Sequence, residues 1–132
     1  MEIEKTERGW AGHHRLADKC LFRRNTLLEF GEKRVVVSTI GSYRNYDDNN
    51  NCIGTIGAFR RYYETRIFLA VRNGEYWEAD GINEVSYYGS WHISAESSNK
   101  LPKDVDNQAN EMHEKAVNFA TNCLLQDTLK LI

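Results

Sequence analysis

At 132 residues, with 41% hydrophobic and 27% charged side chains, the chain has the size and balance of one globular domain, residues 1–132. That excludes global disorder and leaves room for one hydrophobic core, not two. The net charge of −2 and a pI near 6.1 argue against a general nucleic-acid binder, because such proteins depend on positive charge.

The charge is unevenly placed. Residues 1–72 carry 13 Lys and Arg against 9 Asp and Glu, residues 73–132 carry 4 against 10, and every arginine lies at or before Arg72. Arginine suits bidentate recognition of carboxylate and phosphate, so the first half marks where an anionic partner would bind. The competing reading is that the two halves pair with each other.

The opening "MEIEKTERGW" has no apolar run of the secretory type, and no segment is long and apolar enough to span a bilayer. A cytoplasmic location is the expectation, with no membrane partner. Cys20, Cys52 and Cys123 are odd in number, widely spaced and without a C-x-x-C, which fits reduced thiols. Trp10, between Gly9 and Gly12, reads as a packed lead-in to the first strand, followed by His13, His14 and Arg15.

"CLFRRNTLLEF" (20–30) alternates, with Cys20, Phe22, Thr26, Leu28 and Phe30 on one side and Arg23, Asn25 and Glu29 on the other. With Gly31 at the first turn position and the β-branched "RVVVSTIGSY" after it, residues 20–43 predict a β-hairpin. The same alternation places Arg24 on the apolar side. A bulge there, or a partly buried guanidinium paired with an acid such as Glu64 or Asp80, would account for it.

"RNYDDNNNCIG" (44–54) reads as a mobile loop. "RYYETRIFLAV" and "EYWEA" flank Asn73-Gly74 as a second hairpin, with Asn73-Gly74 as the two-residue turn. "NEVSYYGSWHIS" (83–94) predicts another aromatic strand, in which Gly89 suggests a bulge or a close approach. Residues 95–104 read as a polar linker. From Val105 to Leu125 the apolar side chains Ala109, Met112, Ala116, Phe119, Ala120 and Cys123 recur at helical steps, and Asp104 or Asp106 is placed to cap the start.

Strands in hairpins followed by one long C-terminal helix predict an α+β fold, an antiparallel sheet with that helix packed on it. The runner-up is a barrel-like sheet closing around the helix.

Several groups of residues invite a chemical reading. His13, His14 and Cys20 are zinc-ligand types, yet their spacing matches no common structural-zinc pattern. Surface histidines and a core cysteine are the plainer reading, so neither a metal nor another cofactor is expected. A Cys/His nucleophile lacks a family signature, and Cys20 faces the predicted core. Glu64, Glu78 and Asp80 could serve acid–base chemistry, or simply solubilise a strand. No phosphate loop is present, and no residue is assigned a catalytic role.

"FRRYYETR" (59–66) interleaves guanidinium forks with aromatic faces, a composition used in nucleotide binding and at protein–protein hot spots. The overall acidity favours protein recognition. The expected partner-binding residues are Arg15, Arg23, Arg24, Arg60, Arg61, Tyr62 and Arg66.

Taken together, "RGWAGHH", "C-x-FRRNTLLE", "VVVSTIG", "RYYET", "WEAD" and "NEMHEKAV" resemble a group of small uncharacterised proteins of bacteriophages and bacterial mobile elements. That group includes anti-defence, anti-CRISPR-like inhibitors. The resemblance implies a non-enzymatic inhibitor that binds and blocks a host defence protein or nucleoprotein complex in the bacterial cytoplasm. The alternatives are a metal- or Cys/His-dependent enzyme centred on His13, His14 and Cys20, and a nucleotide-sequestering protein using the Arg/Tyr face. An exposed strand edge could in addition support a homodimer.

Overall fold

A computed structural model describes residues 2–9, 20–43, 61–94 and 104–132. The predicted mobile loop (44–54), the first nine residues of the predicted linker (95–103), and Trp10, His13, His14, Arg15, Cys52 and Arg60 lie outside the described residues.

The fold is α+β. Six strands, β1 (Glu4–Arg8), β2 (Cys20–Phe30), β3 (Lys33–Tyr43), β4 (Arg61–Asn73), β5 (Tyr76–Glu84) and β6 (His92–Ser94), form one antiparallel sheet against the helix α1 (Val105–Gln126). The order is β1-β2-β3-β4-β5, with β6 also on β4.

The first hairpin forms as predicted, turning at Gly31 with φ 63°. In the second hairpin the turn is displaced by one residue from the expected Asn73-Gly74. Asn73 pairs with Tyr76, and Gly74, with φ 62°, leads a Gly-Glu turn like that of Gly31-Glu32. A two-residue turn with positive φ at its first position only is the type II′ pattern, which asks for glycine there.

The strand expected over 83–94 is interrupted. β5 ends at Glu84, Val85 N–H makes one more bond to β4, at the Ile67 carbonyl (2.7 Å), and the chain returns to β4 with the Trp91 carbonyl and His92–Ser94. Gly89 lies in the connection rather than in a strand, and the close approach there is by a side chain, because a Cβ would fall on the Tyr87 ring and hydroxyl. The tail pairs with the outer side of this segment: Ser86 N–H donates to the Lys130 carbonyl (2.6 Å), Ile132 N–H donates to that of Glu84 (3.0 Å), and Leu131 bridges Val85.

Strand alternation divides the sheet into two faces. On the helix side Leu28, Val35, Val37 and Ile67 are packed with Ala116, Val117, Ala120 and Leu124. A smaller cluster joins Tyr63 to Ala109 and Met112. On the other side Leu27, Val36, Ile40 and Phe68 are buried as well. Arg8 of β1 reaches across this second face to the Trp77 carbonyl of β5. The two outer strands are thereby bridged, and the sheet curls away from the helix rather than around it. Among the described residues no helix is long and apolar enough to cross a membrane.

Candidate functional site

Between the two helix-side clusters lies a polar layer centred on His113, a fully buried residue of α1. Its Nε2 is 2.7 Å from the Thr26 hydroxyl and its Nδ1 is 2.7 Å from that of Thr39. Thr26 in turn donates to Glu7 Oε2 (2.5 Å), and Thr39 meets Thr65 at 2.6 Å. One imidazole therefore links the helix to β2 and β3 directly, and to β1 and β4 through hydroxyls.

Proton counting gives this layer a direction. A carboxylate only accepts, so the single Thr26 proton goes to Glu7 and the Thr26 oxygen must accept from Nε2–H. Neutral histidine carries one ring proton, so Nδ1 accepts from Thr39, whose own oxygen accepts from Thr65. The chain runs Thr65 to Thr39 to His113 to Thr26 to Glu7.

Burial drives the His113 pKa down to about 4, and the nearby Arg24 charge pushes the same way against Glu7 and Glu114. The ring is neutral at pH 7. Burial alone would raise the Glu7 carboxyl, but hydrogen bonds from Arg24 and Thr26 outweigh it and hold the group below its ordinary range. The layer has the form of a hydroxyl–imidazole–carboxylate arrangement, yet Thr26, Thr39, Thr65 and His113 are all sealed from solvent. What it does is fix the helix on the sheet.

Arg24 is half-buried on the helix side, with an unbroken strand register around it, as the pairing alternative requires. Its partners correct the expectation. Nε donates to Glu7 and Nη2 to Glu114, each at 2.8 Å. Glu64 is instead buried on the opposite face, where it pairs with Arg66. Asp80 lies in β5, accepting from Ile82 N–H and Asn83 Nδ2. One of the two acids on Arg24, Glu114, does come from the acidic half, on the helix.

Arg66 is bracketed by Glu64 and Glu84, the latter at 2.6 Å, and its guanidinium lies 5.5 Å from the Trp91 ring. Arg24 and Arg66 thus occupy opposite faces, and each is held by two carboxylates. Arg23 is exposed on β2, and Arg61 and Tyr62 open β4. Six ion pairs join described residues, and three of them, Arg24–Glu114, Arg66–Glu84 and Lys33–Asp127, tie the basic half to the acidic half. Part of the charge asymmetry is therefore internal pairing.

Cys20 opens β2 and is fully buried, as expected of a core thiol. Among the described residues no group of three His, Cys, Asp or Glu could hold a metal ion.

A different surface stands out on the second half. Between the pairs Phe68–Glu84 and Ala70–Ala79, one residue of β4 faces four of β5, so Asp80–Asn83 bulge from the edge. The Asp80 carboxylate orders that bulge, and Ile82 projects from it with 91% of its surface exposed. Tyr88, 94% exposed, follows in the connection to β6, and Leu131 and Ile132 lie where the tail joins the edge. Sequence reasoning missed both His113 and Ile82. His113 falls in the helical stripe between Ala109 and Ala116, and "ADGIN" carries an Asp-Gly turn signal inside a strand pattern.

No family model, curated protein or solved structure matches this chain.

Proposed function

We propose that the chain is a non-enzymatic inhibitor that binds and blocks a host defence complex, of the anti-CRISPR kind its sequence resembles. The contact is made by the β5 bulge, the connection after it and the C-terminal tail. The observation that carries this reading is the presentation of Ile82. A lone exposed isoleucine is ordinary, but this one is held outward on a carboxylate-ordered bulge, on the same strand-and-tail edge as exposed Leu131 and Ile132 and six residues before Tyr88. Preordered apolar and aromatic anchors of this sort carry much of the energy at protein interfaces.

The arginines support it less directly. Arg24 and Arg66 are engaged internally, so gripping an anionic partner would first require breaking those pairs. The acidic surroundings of the bulge, with Glu78 on the same strand and Glu75 in the turn before it, favour a partner whose contact surface is apolar with a basic margin.

The test is a phage-plating assay in a bacterial strain with active CRISPR interference, with and without the chain expressed. The wild type is expected to restore plating at least tenfold, and a doubly substituted I82D and Y88A chain, with an unchanged melting temperature, to lose that effect. Failure of the wild type to restore plating overturns the inhibitor reading. Full activity of the double variant overturns the choice of surface.

A further inference from the structure

We propose that His113 is an acid-operated latch that releases the first half of α1, Val105–His113, from the sheet while the second half stays docked. The argument begins with the directed hydrogen bonds. A second ring proton must go on Nδ1, the atom that accepts from Thr39. Thr39 then has to turn its own proton toward Thr65, and Thr65, also fully buried, has to surrender its donor role to Thr39. Accommodating one proton thus reverses two hydroxyls inside the core and places a cation in a site without solvent.

The charges facing the ring do not rescue it. Arg24 from β2 repels the imidazolium, and the two carboxylates in reach, Glu7 from β1 and Glu114 from α1, are already bound to Arg24. From β3 the ring meets the Thr39 hydroxyl, behind which lies that of Thr65 on β4, while Glu64 lies on the other face. The accessible relief is for the helix to lift and hydrate the ring.

Which part lifts follows from the packing on either side of His113. Among the described residues the buried cluster toward the helix N-terminus is Tyr63, Ala109 and Met112, with Phe22, Ile93 and Val105 partly buried against it, and this half is tied to the sheet by hydrogen bonds from Tyr63 to Asp106 (2.8 Å) and from Arg24 to Asn110 (3.4 Å). Toward the C-terminus the larger cluster holds Ala116, Val117, Ala120 and Leu124 against Leu28, Val35, Val37 and Ile67. The weaker half gives way first.

The test is amide hydrogen exchange of the full chain at pH 6.5 and pH 4, corrected for the intrinsic pH dependence. Exchange in 105–113 is expected to rise at least tenfold relative to 116–126 and to β2–β3, and the neutral variant H113Q to abolish that difference. Equal response of both helix halves, or the same response in H113Q, overturns the latch. Ring nitrogen shifts of wild-type His113 give a second measurement that needs no variant. The Nε2–H form is expected at neutral pH, and finding Nδ1–H overturns the directed chain on which the latch depends.

Discussion

His113 Nδ1 and the Thr39 hydroxyl, 2.7 Å apart, join the middle of α1 to the middle of the sheet, and neither group has any exposure to water. Removing one partner of such a pair leaves the other unsatisfied, which costs about 1–3 kcal/mol per buried group. H113L would orphan the Thr26 and Thr39 contacts together. We expect it to lower stability by about 2–5 kcal/mol in a denaturant titration. H113Q, which can accept at one end and donate at the other, should lose less than half as much. Equal losses would show that ring volume, rather than the hydrogen bonds, is what the site requires.

The pH dependence of stability has a sign fixed by the same residue. Its pKa is about 4 in the folded chain and about 6.5 when unfolded, so between those values the unfolded state binds the extra proton. Stability therefore falls as pH drops from about 6.5 to about 4 and receives no further loss from this group below that. At roughly 1.4 kcal/mol per unit the contribution is on the order of 3 kcal/mol. Glu7, whose pKa is lowered, adds stability above its ordinary carboxylate range and gives it up only at lower pH. Unfolding curves at half-unit intervals should show the upper slope in the wild type and not in H113Q.

The parts of the fold that were readable from sequence are those set by local chemistry. Alternation in "CLFRRNTLLEF", β-branching in "RVVVSTI" and glycine at both turns fix the hairpins, and the helical stripe fixes α1. β1 was not readable, because "EKTER" has no apolar alternation and is a strand only by pairing Thr6 with Leu27 and Glu7 with Thr26. The pairing just after Glu84 was hidden for a related reason, since the tail that bonds to residues 84–86 comes from Lys130–Ile132. Arg24 shows where such reasoning stops. Its need for an acid follows from its position, but the acids that answer lie on an unforeseen strand and on a helix 90 residues away.

Gly41 and Tyr63 are cross-strand partners, and a Cβ at Gly41 would fall 2.0 Å from Tyr63 Cδ2. The tyrosine ring cannot retreat cheaply, since it also packs edge-on against Phe22 and donates its hydroxyl to Asp106. G41A is expected to destabilise by about 1–3 kcal/mol, as overpacking does. At Gly81 a Cβ would meet nothing within 4 Å, so G81A should stay within about 0.5 kcal/mol of the wild type. Matching melting curves for the two variants would contradict the close packing at Gly41.

Asn25 and Arg8 offer a substitution expected to stabilise. The Asn25 carbonyl oxygen accepts two bonds from the Arg8 guanidinium, at 2.9 and 2.6 Å, while its buried amide nitrogen has no partner. An orphaned donor of this kind costs about 1–3 kcal/mol. Asn25→Asp removes that donor, keeps the accepting oxygen and adds a second, and places a carboxylate against a cation whose own pKa is already lowered by burial. The charge-assisted pair is roughly twice as strong as its neutral counterpart, and the desolvation of the new carboxylate works against the gain. The net expectation is a stabilisation of about 1 kcal/mol at pH 7. Because the pair depresses the aspartate pKa below its unfolded value, the gain is present above about pH 4 and disappears as acid protonates the carboxylate. Denaturation midpoints of N25D and wild type at pH 7 and pH 3 check both halves of the statement. A loss of stability at pH 7 would mean that the curled face of the sheet cannot support a second buried charge beside Arg8.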